Sequence, residues 1–192
     1  MKLFLIRHGQ TDANAQRIYS GQSDVKLTDL GRQQAREIAP ILAGYRFDRV
    51  YSSDLSRAWE TQQLALPGYE AVRTPLLREF NVGQMEGKPL DYTPEGFDQP
   101  FWNVRNYGLC GGETTQQVCD RLRTFMEMLE KDPCDYVAAF AHNGALNCFL
   151  KNVLDADFRK GAVVNHNCCI HVFEFDGKKW RLLSLNYMAP IA

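Results

Sequence analysis

The sequence holds no apolar stretch approaching the roughly 20 residues that a membrane-spanning helix needs. Its apolar start, residues 2–6, is five residues long and has no small-residue cleavage site behind it, so it does not read as a secretory leader. There is no excess of either charge: 22 Lys and Arg stand against 23 Asp and Glu, a formal charge of −1. That balance gives no general electrostatic grip on nucleic acid or on an anionic membrane surface, so basic residues that do chemistry must be gathered locally. The six cysteines (110, 119, 134, 148, 168, 169) include no CxxC pair and no finger spacing, which points away from the common structural metal sites. Cys168 and Cys169 are adjacent and are expected on opposite faces of a strand. The expectation is a soluble, cytoplasmic protein with reduced thiols. No repeat, low-complexity tract or linker divides the chain, and 192 residues fit one domain, 1–192, with a sizeable core.

What is present alternates between two periodicities. A buried strand at the start ends on Arg7-His8-Gly9, and a polar loop follows to about Ser23. Thr28 reads as the N-cap of a helix with Leu30, Ile38, Ile41 and Leu42 on one face, stopped at Gly44. Residues 49–52 read as a short buried strand. A helix starting at Asp54 then places Leu55, Ala58, Trp59, Gln62 and Leu66 in register and closes at Pro67-Gly68. Residues 80–113 differ: glycines, prolines and aromatics dominate, and an ordered excursion of that length is usually functional. Helical spacing resumes at Val118, Leu122, Phe125, Met126 and Leu129. A strand over 136–141 and a helix with Leu146, Phe149, Leu150 and Val153 come next. Two strand-like runs, 168–175 and 180–186, meet at Asp176-Gly177, a hairpin signal. The expected fold is α/β: a three-layer α/β/α sandwich with a mostly parallel central sheet, a C-terminal antiparallel hairpin, and a turn-rich insertion (80–113) capping the site.

The polar residues that follow the strands carry the functional expectation. His8 with Arg7 follows the first strand, Ser52-Ser53-Asp54 and then Arg57 follow the second, and His142-Asn143-Gly144 follow the strand at 136–141. In a parallel sheet these ends lie side by side, where open α/β sheets keep their ligand sites. Two imidazoles, two guanidinium groups and helix N-termini gathered there make a phosphate pocket.

These residues also carry a resemblance. Arg7-His8-Gly9-Gln10-Thr11 fits R-H-G-[EQ]-[ST], with Asn14 downstream. Leu27-Thr28-Asp29-Leu30-Gly31, Tyr51 through Ala58, Leu77-Arg78-Glu79 with Gly83 and Glu86-Gly87, Gly111 through Thr114, and Ala141-His142-Asn143-Gly144 follow in the same order. The chain so resembles the histidine phosphatase superfamily, phosphoglycerate-mutase-like branch. The resemblance implies phosphomonoester hydrolysis through a phosphohistidine on a small phosphorylated metabolite, without metal or cofactor. By it, His8 is the nucleophile, its second ring nitrogen held by a carbonyl at the Gly9 turn. Arg7, Arg57 and His142 stabilise the phosphoryl oxygens. Glu79 is the general acid and then the base, a role that asks for a buried carboxyl, and Glu86 competes for it. Asn14, Ser20, Gly21 and Asn143 contribute to substrate binding. The family more often has Ser-His-Gly-Gly where this chain has Ala141-His142-Asn143-Gly144.

Two alternatives stay beside this expectation: a phosphoglycerate-type mutase, and a non-catalytic phospholigand-binding protein on the same fold. In the mutases an Arg and a Tyr closely follow the acid; here Phe80 and Val82 stand there, which favours hydrolysis. Gln84, Met85, Tyr92, Trp102 and Tyr107 are candidates to wall the substrate, or else to pack inside the insertion. Glu113 and Thr114 read as a helix start or as ligand contacts. His166 and His171 read as surface or strand residues rather than metal ligands, and Lys151 and Arg159-Lys160 as solvated charges.

Overall fold

The apolar runs at 3–6 and 137–141 are uninterrupted because both faces of the strands that contain them are covered. A computed structural model of the chain describes residues 1–97, 106–156 and 163–187. Its strands are Lys2–Arg7 (β1), Arg49–Ser53 (β2), Val72–Thr74 (β3), Tyr136–Ala141 (β4), Ile170–Phe175 (β5) and Trp180–Tyr187 (β6). They form one sheet in the order β3-β2-β4-β1-β5-β6. The first four strands pair in parallel, and β5 and β6 are antiparallel to their neighbours. Leu3 and Leu5 of β1 and Val137, Ala139 and Ala141 of β4 face one core. Phe4, Ile6, Ala138 and Phe140 face a second core on the other side.

Helices close both faces. Thr115–Glu130 (α5) and Asn143–Leu154 (α6) contribute Val118, Leu122, Phe125, Leu146 and Phe149 to the first core. Asp29–Glu37 (α2), Ala39–Leu42 (α3) and Ser56–Ala65 (α4) flank the second, where Leu42 and Ala65 are buried. A short helix, Asp12–Gln16 (α1), follows β1. Together these elements make the α/β/α sandwich with its antiparallel hairpin. Asp176 Oδ1 accepts the Lys178 and Lys179 N–H groups, and Gly177 turns the corner at φ 89°.

Several local expectations need correction. The helix begun at Thr28 is two helices, because Pro40 lies in the first turn of α3 and supplies no N–H. Leu30 is 48% exposed and does not belong to the buried face. The second helix begins at Ser56 rather than Asp54. Cys168 and Cys169 precede β5 rather than alternate within it: Cys168 sits at φ +58°, and both are buried. Burial pushes the two thiols up to about 12 and about 11, so they stay protonated.

Within the excursion, Tyr19 N–H donates to Lys88 O and Gly87 N–H to Tyr19 O, zipping it to the chain behind α1. Met85 and Tyr107 are buried in the first core with Phe80 and Val82, so neither walls a substrate. Gln84 is exposed, and Tyr92 carries Lys88 Nζ 5.5 Å above its ring. Trp102, Arg159 and Lys160 lie outside the described residues. No helix among the described residues is long and apolar enough to cross a membrane.

Candidate active site

Strand register brings the two histidines together. Arg7, the last residue of β1, pairs with Ala141, the last of β4, and the next residues along the two strands are His8 and His142. His8 N–H donates to Ala141 O at 3.0 Å, and the two imidazole centroids lie 5.2 Å apart. His8 is 4% exposed and His142 fully buried. The tight turn after His8 works because Gly9 and Gly31 approach so closely that a Cβ on either would strike the other segment's backbone. Thr61 Oγ1 accepts the Gly9 N–H at 3.1 Å.

The two rings are held as opposite tautomers. His8 Nδ1 lies 2.7 Å from Gly9 O. A carbonyl only accepts, so Nδ1 carries the proton and Nε2 the lone pair. Arg57 Nε lies 3.1 Å from His142 Nδ1. Arginine only donates, so Nδ1 is here the acceptor and Nε2 carries the proton. That Nε2 is buried with no partner among the described residues. Burial, followed by the charges of Arg57 and Arg7, holds His8 well below its ordinary pKa. His142 is lowered in the same direction by burial, then by Arg57 and by His8. Both imidazoles are neutral at pH 7.

Arg57, the second residue of α4, is 1% exposed. Nη1 donates to Ser23 O at 2.9 Å and Nη2 to Gly21 O at 2.7 Å, fixing the polar loop against the helix. Arg7 donates from Nη1 to Asn165 O, and its buried Nε has no partner among the described residues. Desolvation lowers both guanidinium pKa values while the charge of Glu79 supports them. Two orphaned N–H donors, Arg7 Nε and His142 Nε2, and one imidazole lone pair so share a buried, positively charged corner. A tetrahedral oxyanion satisfies such donors.

The remaining expected residues fall into two groups. Glu79 reaches the site: Oε2 accepts Gly144 N–H at 3.0 Å and Oε1 accepts Phe80 N–H at 2.9 Å. It is half-buried rather than enclosed. Asn14 closes a capping box with Thr11, and its Oδ1 also accepts from Asn167 Nδ2, which in turn donates to His8 O. Asn143 follows His142, its Oδ1 accepting from Asn165; Ser20 is half-buried. Gly21 is occupied structurally, its carbonyl by Arg57 and its N–H by Glu86. Glu86 also accepts from Ser23, which makes it the strut of the loop at 21–23. Glu113 bridges Arg121, Asn81 N–H and Gln22, and Thr114 caps α5. His171 is a buried strand residue and His166 is exposed. Among the described residues no group of His, Cys, Asp and Glu could hold a metal ion.

Sequence reasoning did not find Asn165, Asn167, Ser23 or Arg121. Arg121 donates to Leu76 O and Glu79 O and so fixes the backbone that carries Glu79. None of these lies at a strand end, and all four act through backbone groups that sequence pattern does not mark.

Two buried imidazoles and two buried guanidinium groups thus meet at one end of the parallel strands of a mixed, doubly covered sheet. The chain belongs to the histidine phosphatase superfamily (branch 1), whose sequence profile matches residues 3–188. It is 31% identical over 192 aligned residues to phosphoglycerate mutase-like protein 4 of Arabidopsis thaliana, covering 94% of this chain and 83% of that one. Its structure is similar to that of the mycobacterial glucosyl-3-phosphoglycerate phosphatase in complex with VO3. The TM-score is 0.80 at 26% identity, covering 97% of this chain and 99% of that one. It is also similar to alpha-ribazole phosphatase from Shigella flexneri, with TM-score 0.78 at 27% identity and 97% and 96% coverage. These relatives comprise two phosphatases and a protein named as phosphoglycerate mutase-like.

Proposed function

We propose that the protein hydrolyses small phosphomonoesters through a phosphohistidine on His8, without a metal ion. The opposed tautomers of His8 and His142 are the observation that supports this most strongly. One ring offers a lone pair for in-line attack on phosphorus, and the other offers an N–H to the charge that builds on the phosphoryl oxygens. In the first step His8 Nε2 bonds to phosphorus as the ester P–O bond breaks, and Glu79 gives its proton to the leaving alkoxide. In the second, water attacks phosphorus, Glu79 takes the proton, and the P–N bond breaks to release phosphate. Arg7, Arg57 and His142 Nε2–H balance the negative charge in both steps. Asn14, Ser20 and Asn143 supply donors around the ester, and the excursion at 80–113 caps the same single domain. A cytoplasmic metabolite is the substrate this reading implies.

Hydrolysis is favoured over phosphoryl shuttling because Phe80 and Val82 are buried in the first core and present no polar group to a second anion. The test uses p-nitrophenyl phosphate and a panel of phosphorylated metabolites, with and without a chelator. Release of phosphate that persists in chelator and vanishes in His8→Ala is the expected result. Activity abolished by chelation, or retained in His8→Ala, overturns the proposal. Phosphate that moves between positions on phosphoglycerate instead of reaching water identifies a mutase, and binding without turnover a phospholigand-binding protein.

A further inference from the structure

Among the described residues, one of the buried titratable side chains outside that chemistry is an imidazole. His171 lies in β5 opposite Leu5 of β1 and is fully buried. Its Nδ1 faces the backbone N–H of Asn186 at 3.1 Å, and a backbone N–H can only donate. Nδ1 is therefore the acceptor and Nε2 carries the proton. Nε2 lies 2.8 Å from Asn165 Oδ1, which fixes the Asn165 carboxamide with its oxygen towards His171. Its Nδ2 then donates both to Asn143 Oδ1 at 2.9 Å and to Asn147 Oδ1 at 3.0 Å. Asn165 is 6% exposed, and its carbonyl also receives Arg7 Nη1.

Each link leaves the next a single orientation. Amide flips are normally assigned by optimising a network; here the chain of donors starts from a main-chain N–H that has no alternative. Asn186 holds that N–H at φ +48°, and its own Nδ2 donates to Val164 O at 2.7 Å. The second contact ties down the loop that carries Asn165, and the first holds His171 in β5 beside it. At the far end, Asn143 has its oxygen occupied and its NH2 turned away from Asn165. It stands at the first position of α6, between His142 and the Gly144 N–H that holds Glu79.

We propose that Asn165, oriented by His171, is a positioning residue that fixes the Asn143 carboxamide with its NH2 towards the substrate, where it donates to an oxygen of the leaving group. The ligand class is a monoester whose alcohol part carries hydroxyl or carbonyl oxygens close to the ester. This deepens the phosphatase reading and rests on it, because a leaving group exists only if the site cleaves esters. The relay sets the polarity of the site: a hydroxyl lone pair is accepted, and an apolar ring gains nothing.

The test compares kcat/KM on glycerol 2-phosphate and on p-nitrophenyl phosphate in wild type, Asn143→Ala, Asn165→Ala and the double variant. The ratio of the two values falls by about tenfold in each single variant, the size of one lost hydrogen bond. It falls no further in the double variant, because both changes remove the same contact. His171→Gln keeps an N–H towards Asn165 and restores part of the ratio that His171→Ala loses. A ratio unchanged in Asn165→Ala, or additive losses in the double variant, overturns the proposal. A long-range 1H–15N spectrum of the wild type provides a readout independent of turnover. It should show His171 neutral, with a protonated Nε2 and an unprotonated Nδ1; the reverse tautomer breaks the relay. A wild-type protein inert towards both esters defeats the phosphatase reading and the leaving-group contact together, while the tautomer still decides whether His171 orients Asn165.

Discussion

Replacing Arg57 with lysine keeps the charge and removes the geometry. The wild-type guanidinium spans three acceptors, His142 Nδ1 at 3.1 Å, Ser23 O at 2.9 Å and Gly21 O at 2.7 Å, from a position that is 1% exposed. One ammonium on a shorter fork cannot reach all three. Two acceptors left buried cost about 1–3 kcal/mol each, so Arg57→Lys should lose about 2–6 kcal/mol of stability. The catalytic loss is separate. Without a donor on Nδ1, His142 is free to take the other tautomer, in which Nε2 offers no proton to the phosphoryl oxygens. Losing a donor of this kind lowers kcat by about a hundredfold or more. Urea unfolding measures the first effect. Steady-state kinetics on p-nitrophenyl phosphate measure the second, and a vanadate titration shows weaker binding in step with kcat. A folded Arg57→Lys protein with wild-type kcat and wild-type vanadate affinity refutes the reasoning, because the tautomer of His142 would then not depend on Arg57.

Glu79→Gln should reduce turnover of an alkyl monoester about tenfold more than that of p-nitrophenyl phosphate, whose leaving group needs little protonation; equal losses remove Glu79 from the acid role. Gly144→Ala places a methyl group against Glu79 Oε1 and within 2.5 Å of the Phe80 ring, so it should show the same leaving-group bias as Glu79→Gln, and a crystal structure should show the carboxylate displaced. Stability should fall on acidification. His8 and His142 are held well below their ordinary pKa by burial, and His171 is pushed down to about 4 by burial. The unfolded chain takes up these protons below about pH 6.5 while the folded chain does not, so each histidine costs about 1.4 kcal/mol per pH unit in that range. His171 contributes from about pH 6.5 down to its folded value and no further. Urea midpoints at pH 7 and pH 5 check the sign, and a midpoint that does not fall between them contradicts it.

The parts of the fold legible in the sequence are those where one physical cause acts alone. The strand at Tyr136–Ala141 is apolar on both faces, and the Thr28 side chain caps α2 by accepting the Gly31 N–H, a contact residue type alone announces. Elements ruled by competing causes were less legible. Val72–Thr74 is a three-residue edge strand with an exposed Val72, too short for its alternation to register. Pro40 divides a run whose apolar spacing reads as continuous. In the site, the residues at strand ends were legible because parallel topology gathers them. Asn165 and Asn167 were not, since a carboxamide in a loop carries no periodicity and its importance lies in what it orients. Met85 and Tyr107 could be read from the sequence either as a substrate wall or as packing within the excursion, and both are core residues.

The central claim is that His8 Nε2 forms a covalent bond to phosphorus. The most direct measurement mixes enzyme with a phosphomonoester, quenches within one turnover under basic conditions that preserve phosphohistidine, and maps the adduct by mass spectrometry. The account predicts a single phosphoryl group on the peptide containing His8, absent from His8→Ala and labile to acid. A phosphoryl group on any other residue, or full turnover with none trapped in wild type and undiminished rates in His8→Ala, contradicts it.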